Sequence, residues 1–176
     1  MKQEKNWFDR KFQFDHLNGT FPSIYERLNG LTVRLEYKLE SIPTEHLHVK
    51  LENKWSIKEH IGHLIDLEEL WSARVKDFID GAETLAAADL KNTKTHKADH
   101  NNVNLAELIE SLSQERNKLL AACRQMGNNA ESLTSLHPRL MQPMRAIDLA
   151  YFVAEHDDHH LAAITEINER LLGVSK

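Results

Sequence analysis

The chain has one cysteine, Cys123, among 176 residues, which excludes an intrachain disulfide and fits a reducing compartment. No apolar run approaches the ~18 residues of a membrane-spanning helix, so no membrane partner is expected. The opening stretch, MKQEKNWFDRKFQFDH, mixes charges with aromatics and lacks the continuous apolar segment of a secretory signal. A cytoplasmic location is the expectation. Basic residues are outnumbered, 22 against 27 acidic, for a net charge of −5, and no run of Lys or Arg breaks the mixture. Without a basic stripe there is little to neutralise phosphates, so nucleic acid is not an expected partner. Phosphate-cradling loops, glycine fingerprints and Ser/His/Asp orders are missing too.

What remains is 41% apolar and 28% charged, the composition of one globular domain with a single hydrophobic core. The abundant residue is histidine: 11, against six Phe and four Met. Four helical segments can be read, with little sign of strands. The first runs from about Phe21 to Glu40, with Pro22 in its first turn and Leu28, Leu31, Leu35 and Leu39 on one stripe. The second follows a capping box, Ser56-Ile-Lys-Glu59, and ends at Gly81. The third runs from about Asn104 to Gly127, with Glu107 repeating the capping pattern. The fourth follows Pro143 and reaches about Leu172. The polar stretch 82–103 is long for a connection in a bundle. It can cross the whole domain, so helices two and three need not be antiparallel, and it can cover a site. Loops 43–55, 82–103 and 127–143 are expected to shape a pocket, and residues 1–20 to form a flap or short helix beside a domain of residues 21–176.

On the fourth helix, His156 and His160 share the inward stripe of Leu149, Val153, Ala163 and Ile167. Two imidazoles one turn apart on a buried face can grip one cation. Left unpartnered, both would be desolvated for no gain. A third ligand should come from another helix, and the second offers His60 and His63. His60 lies nearer the apolar centre but sits where it can pack on Trp55; His63 lies at the stripe's edge. Spacing does not separate them.

The stretch Trp55-Ser-Ile-Lys-Glu-His-Ile-Gly-His63-Leu, together with His137-Pro138 and Glu155-His156-Asp-Asp-His159-His160-Leu, resembles the paired motifs of the DinB/YfiT-like family of small metalloproteins. The resemblance covers roughly Phe21 to Leu171. It implies an all-α four-helix bundle of up-down-down-up course, a divalent ion (Zn, Ni or Fe) on His63, His156 and His160, and frequent homodimers. It also implies a small-molecule substrate, with a low-molecular-weight thiol as co-substrate of an S-transferase. A hydrolase using metal-activated water and a non-catalytic metal-binding, stress-related module are the alternatives.

Glu68 falls inside the apolar stripe and needs a partner: an ion pair with a basic residue is favoured slightly over a catalytic or ligand-steadying role. Glu155, Asp157 and Asp158 read as a solvated face. His96 and His100 share an i, i+4 spacing in surroundings without an apolar stripe, which reads as an exposed connection, as do His46 and His48. His137 suits a turn before helix four. Cys123 reads as a buried, inert thiol.

Overall fold

The computed structural model describes residues 6–174. The expected regions 1–20 and 21–176 therefore extend, at residues 1–5 and 175–176, outside the described residues. The first arm is α1 (Phe21–Asn29) and α2 (Leu31–Leu39), not one helix to residue 40. Gly30 bends it without cutting it: its N–H still donates to the Glu26 carbonyl (2.9 Å), and its own carbonyl accepts from Arg34 (3.0 Å). The second arm is α3 (Ile57–Asp80). Ser56 Oγ accepts from the Glu59 N–H (3.2 Å) and Glu59 accepts from the Ser56 N–H (2.9 Å), the reciprocal box expected. Gly81, at φ 73°, closes the helix in the left-handed conformation that glycine adopts without penalty.

Stretch 82–103 holds a short helix, α4 (Thr93–Lys97), and a 3-10 turn, His100–Asn102. The third arm is α5 (Leu105–Met126), capped by Asn104, whose side chain accepts from the Ala106 N–H (2.8 Å), a simpler cap than the expected box with Glu107. An antiparallel hairpin follows, β1 (Thr134–His137) with β2 (Gln142–Arg145). It is a small addition to an all-α bundle whose sequence shows little sign of strands, and Pro143 lies in β2, three residues before the last helix begins. Strands of four residues are too short to leave a periodic signal. The hairpin is anchored on the α3–α4 connection by Leu85 N–H to Leu136 O (3.0 Å) and Leu136 N–H to Glu83 O (2.8 Å). The last arm is α6 (Ala146–Leu171).

Two apolar clusters define the course of the arms. One gathers Ile24 and Leu28 of α1, Trp71, Val75 and Phe78 of α3, Leu119 and Cys123 of α5, and Leu149 and Val153 of α6. The other gathers Leu31 and Leu35 of α2, Ile57 and Leu64 of α3, Leu108 and Leu112 of α5, and Leu161 and Ile164 of α6. The first and last arms thus run from the first cluster to the second, while α3 and α5 both run the other way. This is the up-down-down-up course, and stretch 82–103 makes the return that parallel neighbours require.

Polar groups lie between the clusters. Arg116 donates to Glu68 (Nε to Oε1, 2.8 Å) and, through both terminal nitrogens, to Asp157 (2.7 and 3.0 Å). Asp157 is fully buried, which corrects its reading as part of a solvated face. Its neighbours Glu155 and Asp158 are half-buried because α1 and α2 bring arginines to them: Arg27 reaches Glu155 (2.8 Å) and Asp158 (2.5 Å), and Arg34 reaches Asp158 (2.5 Å). The N-terminal segment crosses the bundle at the 3-10 turn Trp7–Asp9, where Trp7 meets Phe152 edge-on at 5.0 Å.

Candidate metal centre

Helix α6 puts His156 and His160 on its inward face, and α3 brings His63 against them. All three are buried, 4% exposed. Each offers one nitrogen such that the three lie within 4.8 Å of one another. His156 Nε2 and His160 Nε2 are 3.2 Å apart. The outer nitrogens are held differently. His63 Nδ1 lies 3.0 Å from Thr95 Oγ1, and the Thr95 hydroxyl in turn bonds to Asp66. His160 Nδ1 lies 2.8 Å from His60 Nδ1. His156 Nδ1 is buried without a partner.

One proton assignment fits the outer contacts of His63 and His160, and leaves the His156 Nδ1–H without an acceptor: each of the three rings carries its hydrogen on Nδ1. His63 then donates to Thr95, whose hydroxyl donates to Asp66, and His160 donates to His60. Three bare Nε2 lone pairs are left facing one another. Burial, the first cause, holds His63 down at about 4, and His156 and His160 well below their ordinary value, so all three are neutral near pH 7. Three neutral imidazole lone pairs converging in a buried site are a donor set that fits zinc, nickel or iron. His60, the other candidate on α3, supports His160 from outside, edge-on to Trp55 at 5.6 Å.

The histidines form one wall of a cavity of about 230 Å³. All three loops expected to shape a pocket contribute: Trp55 from the first, Ala88, Asp89, Leu90 and Asn92 from the second, His137 and Arg139 from the third. Trp55 lies 4.5 Å from the His63 ring, and Trp7 and Trp71 meet His156 at 4.9 and 5.7 Å. Glu68 does not line the cavity; it is engaged by Arg116, and burial pushes it up to about 7. His100 corrects its reading as exposed. It is buried over Gly62, where a Cβ would meet the imidazole at 2.1 Å, and its Nε2 lies 2.9 Å from Asp66. His96 and His48 are exposed and His46 is half-buried. Burial pushes the Cys123 thiol up to about 12, an inert group as expected.

Sequence reasoning missed Trp7, Thr95, Asp66 and the two arginines of the cavity, Arg74 and Arg139. The one available signal was Gly62: a glycine inside an amphipathic helix marks a close approach by something.

Fold and site together define a helical bundle with a buried histidine cluster opening on a small cavity. The model of the DinB superfamily matches residues 27–164, and the chain belongs to that superfamily. Its structure is similar to that of YfiT from Bacillus subtilis, described as a probable metal-dependent hydrolase with an unusual four-helix bundle topology. The TM-score is 0.78 at 17% identity, over 94% of this chain and 95% of that one. It is also similar to the mycothiol-dependent maleylpyruvate isomerase, with TM-score 0.64 and 15% identity over 85% of this chain and 66% of that one. At these identities the likeness establishes the fold. No curated protein matches the chain in sequence.

Proposed function

We propose that the chain is a metal-dependent S-transferase that holds a divalent cation on His63, His156 and His160 and joins a low-molecular-weight thiol to a small electrophile. The observation that carries this reading is the convergence of three neutral imidazole nitrogens within 4.8 Å on a cavity wall. Three protein ligands leave coordination open to an exogenous group, as in catalytic rather than structural sites. A cation so held lowers the pKa of a coordinated thiol or water.

The chain's own residues supply the setting. Asp66 and Thr95 fix the His63 ring, His60 fixes His160, and Trp55, Trp7 and Trp71 pack against the His63 and His156 rings. Cys123, packed in the apolar cluster with Leu119 and Val153, offers no nucleophile, so the sulfur must come from solution. The mycothiol dependence of the similar isomerase supports a thiol. The description of YfiT supports the second reading, in which the same site activates water.

Metal-replete protein incubated with an electrophile such as 1-chloro-2,4-dinitrobenzene, and separately with a nitrophenyl ester, decides between them. Conversion that requires added thiol is expected; ester cleavage without thiol favours the hydrolase, and neither reaction removes both readings. Homodimerisation and a cytoplasmic location belong to this proposal, tested by sedimentation and by fractionation.

A further inference from the structure

Away from the histidines, the cavity wall carries two guanidinium groups that no carboxylate pairs with among the described residues. Arg74, on α3, is 2% exposed. Its Nε donates to the Ala86 carbonyl (2.9 Å), and its Cζ lies 5.3 Å from the Trp71 ring centroid. Asp77 attracts it from a distance, but that carboxylate accepts from the Ala86 N–H (2.7 Å). Arg139, in the turn of the hairpin, sits 5.4 Å over the Phe8 ring, and its Nη2 is enclosed without a hydrogen-bond partner. The one acidic residue lining the cavity among the described residues, Asp89, closes its own turn by accepting from the Lys91 and Thr93 N–H groups.

His137 sharpens the imbalance. Its Nδ1 faces the Leu140 N–H at 3.2 Å and its Nε2 faces Arg74 Nη1 at 3.3 Å. Burial first, then the two guanidiniums, push the ring down to about 4, so near pH 7 it is neutral and has one acceptor nitrogen. Two donors compete for one lone pair. If the lone pair goes to Leu140, Arg74 Nη1 loses its partner, and Arg139 Nη2 in the same cavity wall has none. Enclosed cationic donors without acceptors are unfavourable, and the two like charges repel. An oxyanion placed between them relieves both conditions, and the planar guanidinium fork matches carboxylate and phosphate geometry.

We propose that Arg74 and Arg139 form an oxyanion receptor, which takes a carboxylate or phosphate of the small-molecule substrate and directs its other end toward His63, His156 and His160. This rests on reading the cavity as a substrate site. Trp71 spans the two ends: its centroid lies 5.3 Å from Arg74 Cζ and 5.7 Å from the His156 ring. At about 230 Å³ the cavity falls below the ~300 Å³ at which drug-sized pockets begin, so the class indicated is a small organic acid or phosphate ester.

The test is calorimetric titration of the full chain, both cobalt-loaded and chelated, with succinate, inorganic phosphate and uncharged succinamide. Succinate or phosphate is expected to bind at least about tenfold more tightly than succinamide in both forms, the tighter of the two naming the group received. Arg139→Gln is expected to weaken that binding at least about tenfold while the cobalt absorption spectrum stays unchanged. Arg139 is half-buried and its removal strands no partner, so it carries the test; Arg74→Gln, which strands the Ala86 carbonyl, supports it. Oxyanions bound no more tightly than succinamide, or equally well by Arg139→Gln, overturn the proposal. Failure to bind cobalt counts against the metal reading instead, because the chelated arm judges the receptor alone.

Discussion

At the scale of single residues, the buried polar groups divide into those that hold the bundle together and those that face the cavity. Glu68, Arg116 and Asp157 belong to the first kind. Replacing Arg116 by Met strands two buried carboxylates and is expected to lower stability by about 3–5 kcal/mol in urea denaturation. Glu68→Gln keeps an acceptor for Arg116 and is expected to change stability by less than about 1 kcal/mol and to leave metal content at the wild-type level. Loss of metal from Glu68→Gln would restore a role for Glu68 at the centre. The need for a partner at Glu68 was legible from its place in the apolar stripe. Asp157 was not, because its burial is imposed by an arginine on α5, forty-one residues away in sequence. His60 and His63 were inseparable by spacing, since both fall near the inward face; what divides them is that α6 meets one with His156 and with the inner side of His160, and the other with the outer side of His160.

At the scale of elements, the part of segment 82–103 that covers the histidines is tied to α3 by, among other polar contacts, Thr95 on His63, Thr95 on Asp66, and His100 on Asp66. Gly62 makes room for the last of these. Alanine at an interior helical glycine ordinarily stabilises by about 0.5–1 kcal/mol, but here the added Cβ meets the His100 ring. Gly62→Ala is therefore expected to destabilise the protein by roughly 1–3 kcal/mol and to open 82–103 to proteolysis, read by thermal unfolding and by mapping cleavage sites. A stabilised Gly62→Ala variant with an uncut segment would show that the contact is dispensable. The length of this connection followed from the spacing of the helices, which left it long enough to cover a site. Which of its polar residues are buried did not, because a segment without apolar periodicity carries no signal of its inward side. The same holds for the hairpin, whose four-residue strands are ordered by Glu83 and Leu85 rather than by their own pattern.

At the scale of the whole molecule, the parallel run of α3 and α5 brings α3 beside α6 so that one helix supplies one ligand candidate and its neighbour two. Building the centre from neutral, buried imidazoles has a consequence for acid stability. His60, His63 and His137 are all held at about 4, chiefly by burial, below the ordinary 6.5. The unfolded chain therefore binds protons that the folded chain refuses, and stability present above about pH 6.5 is lost as the pH falls toward 4. Denaturation of the chelated protein across that window is expected to show the decline; a flat profile would mean that the rings charge freely in place. Metal loading should oppose unfolding: at a hundredfold excess over the dissociation constant the gain is about 2.7 kcal/mol, or roughly 5–10 °C in Tm for a chain of this size.

Metal content tests the centre most directly. Elemental analysis of the purified chain after dialysis against zinc or nickel should find about one ion per chain in wild type and in the His96→Ala control, and less than a tenth of that in His63→Ala, His156→Ala and His160→Ala. Folded single variants that keep the full stoichiometry would contradict the account, because no one ion could then depend on those three rings together.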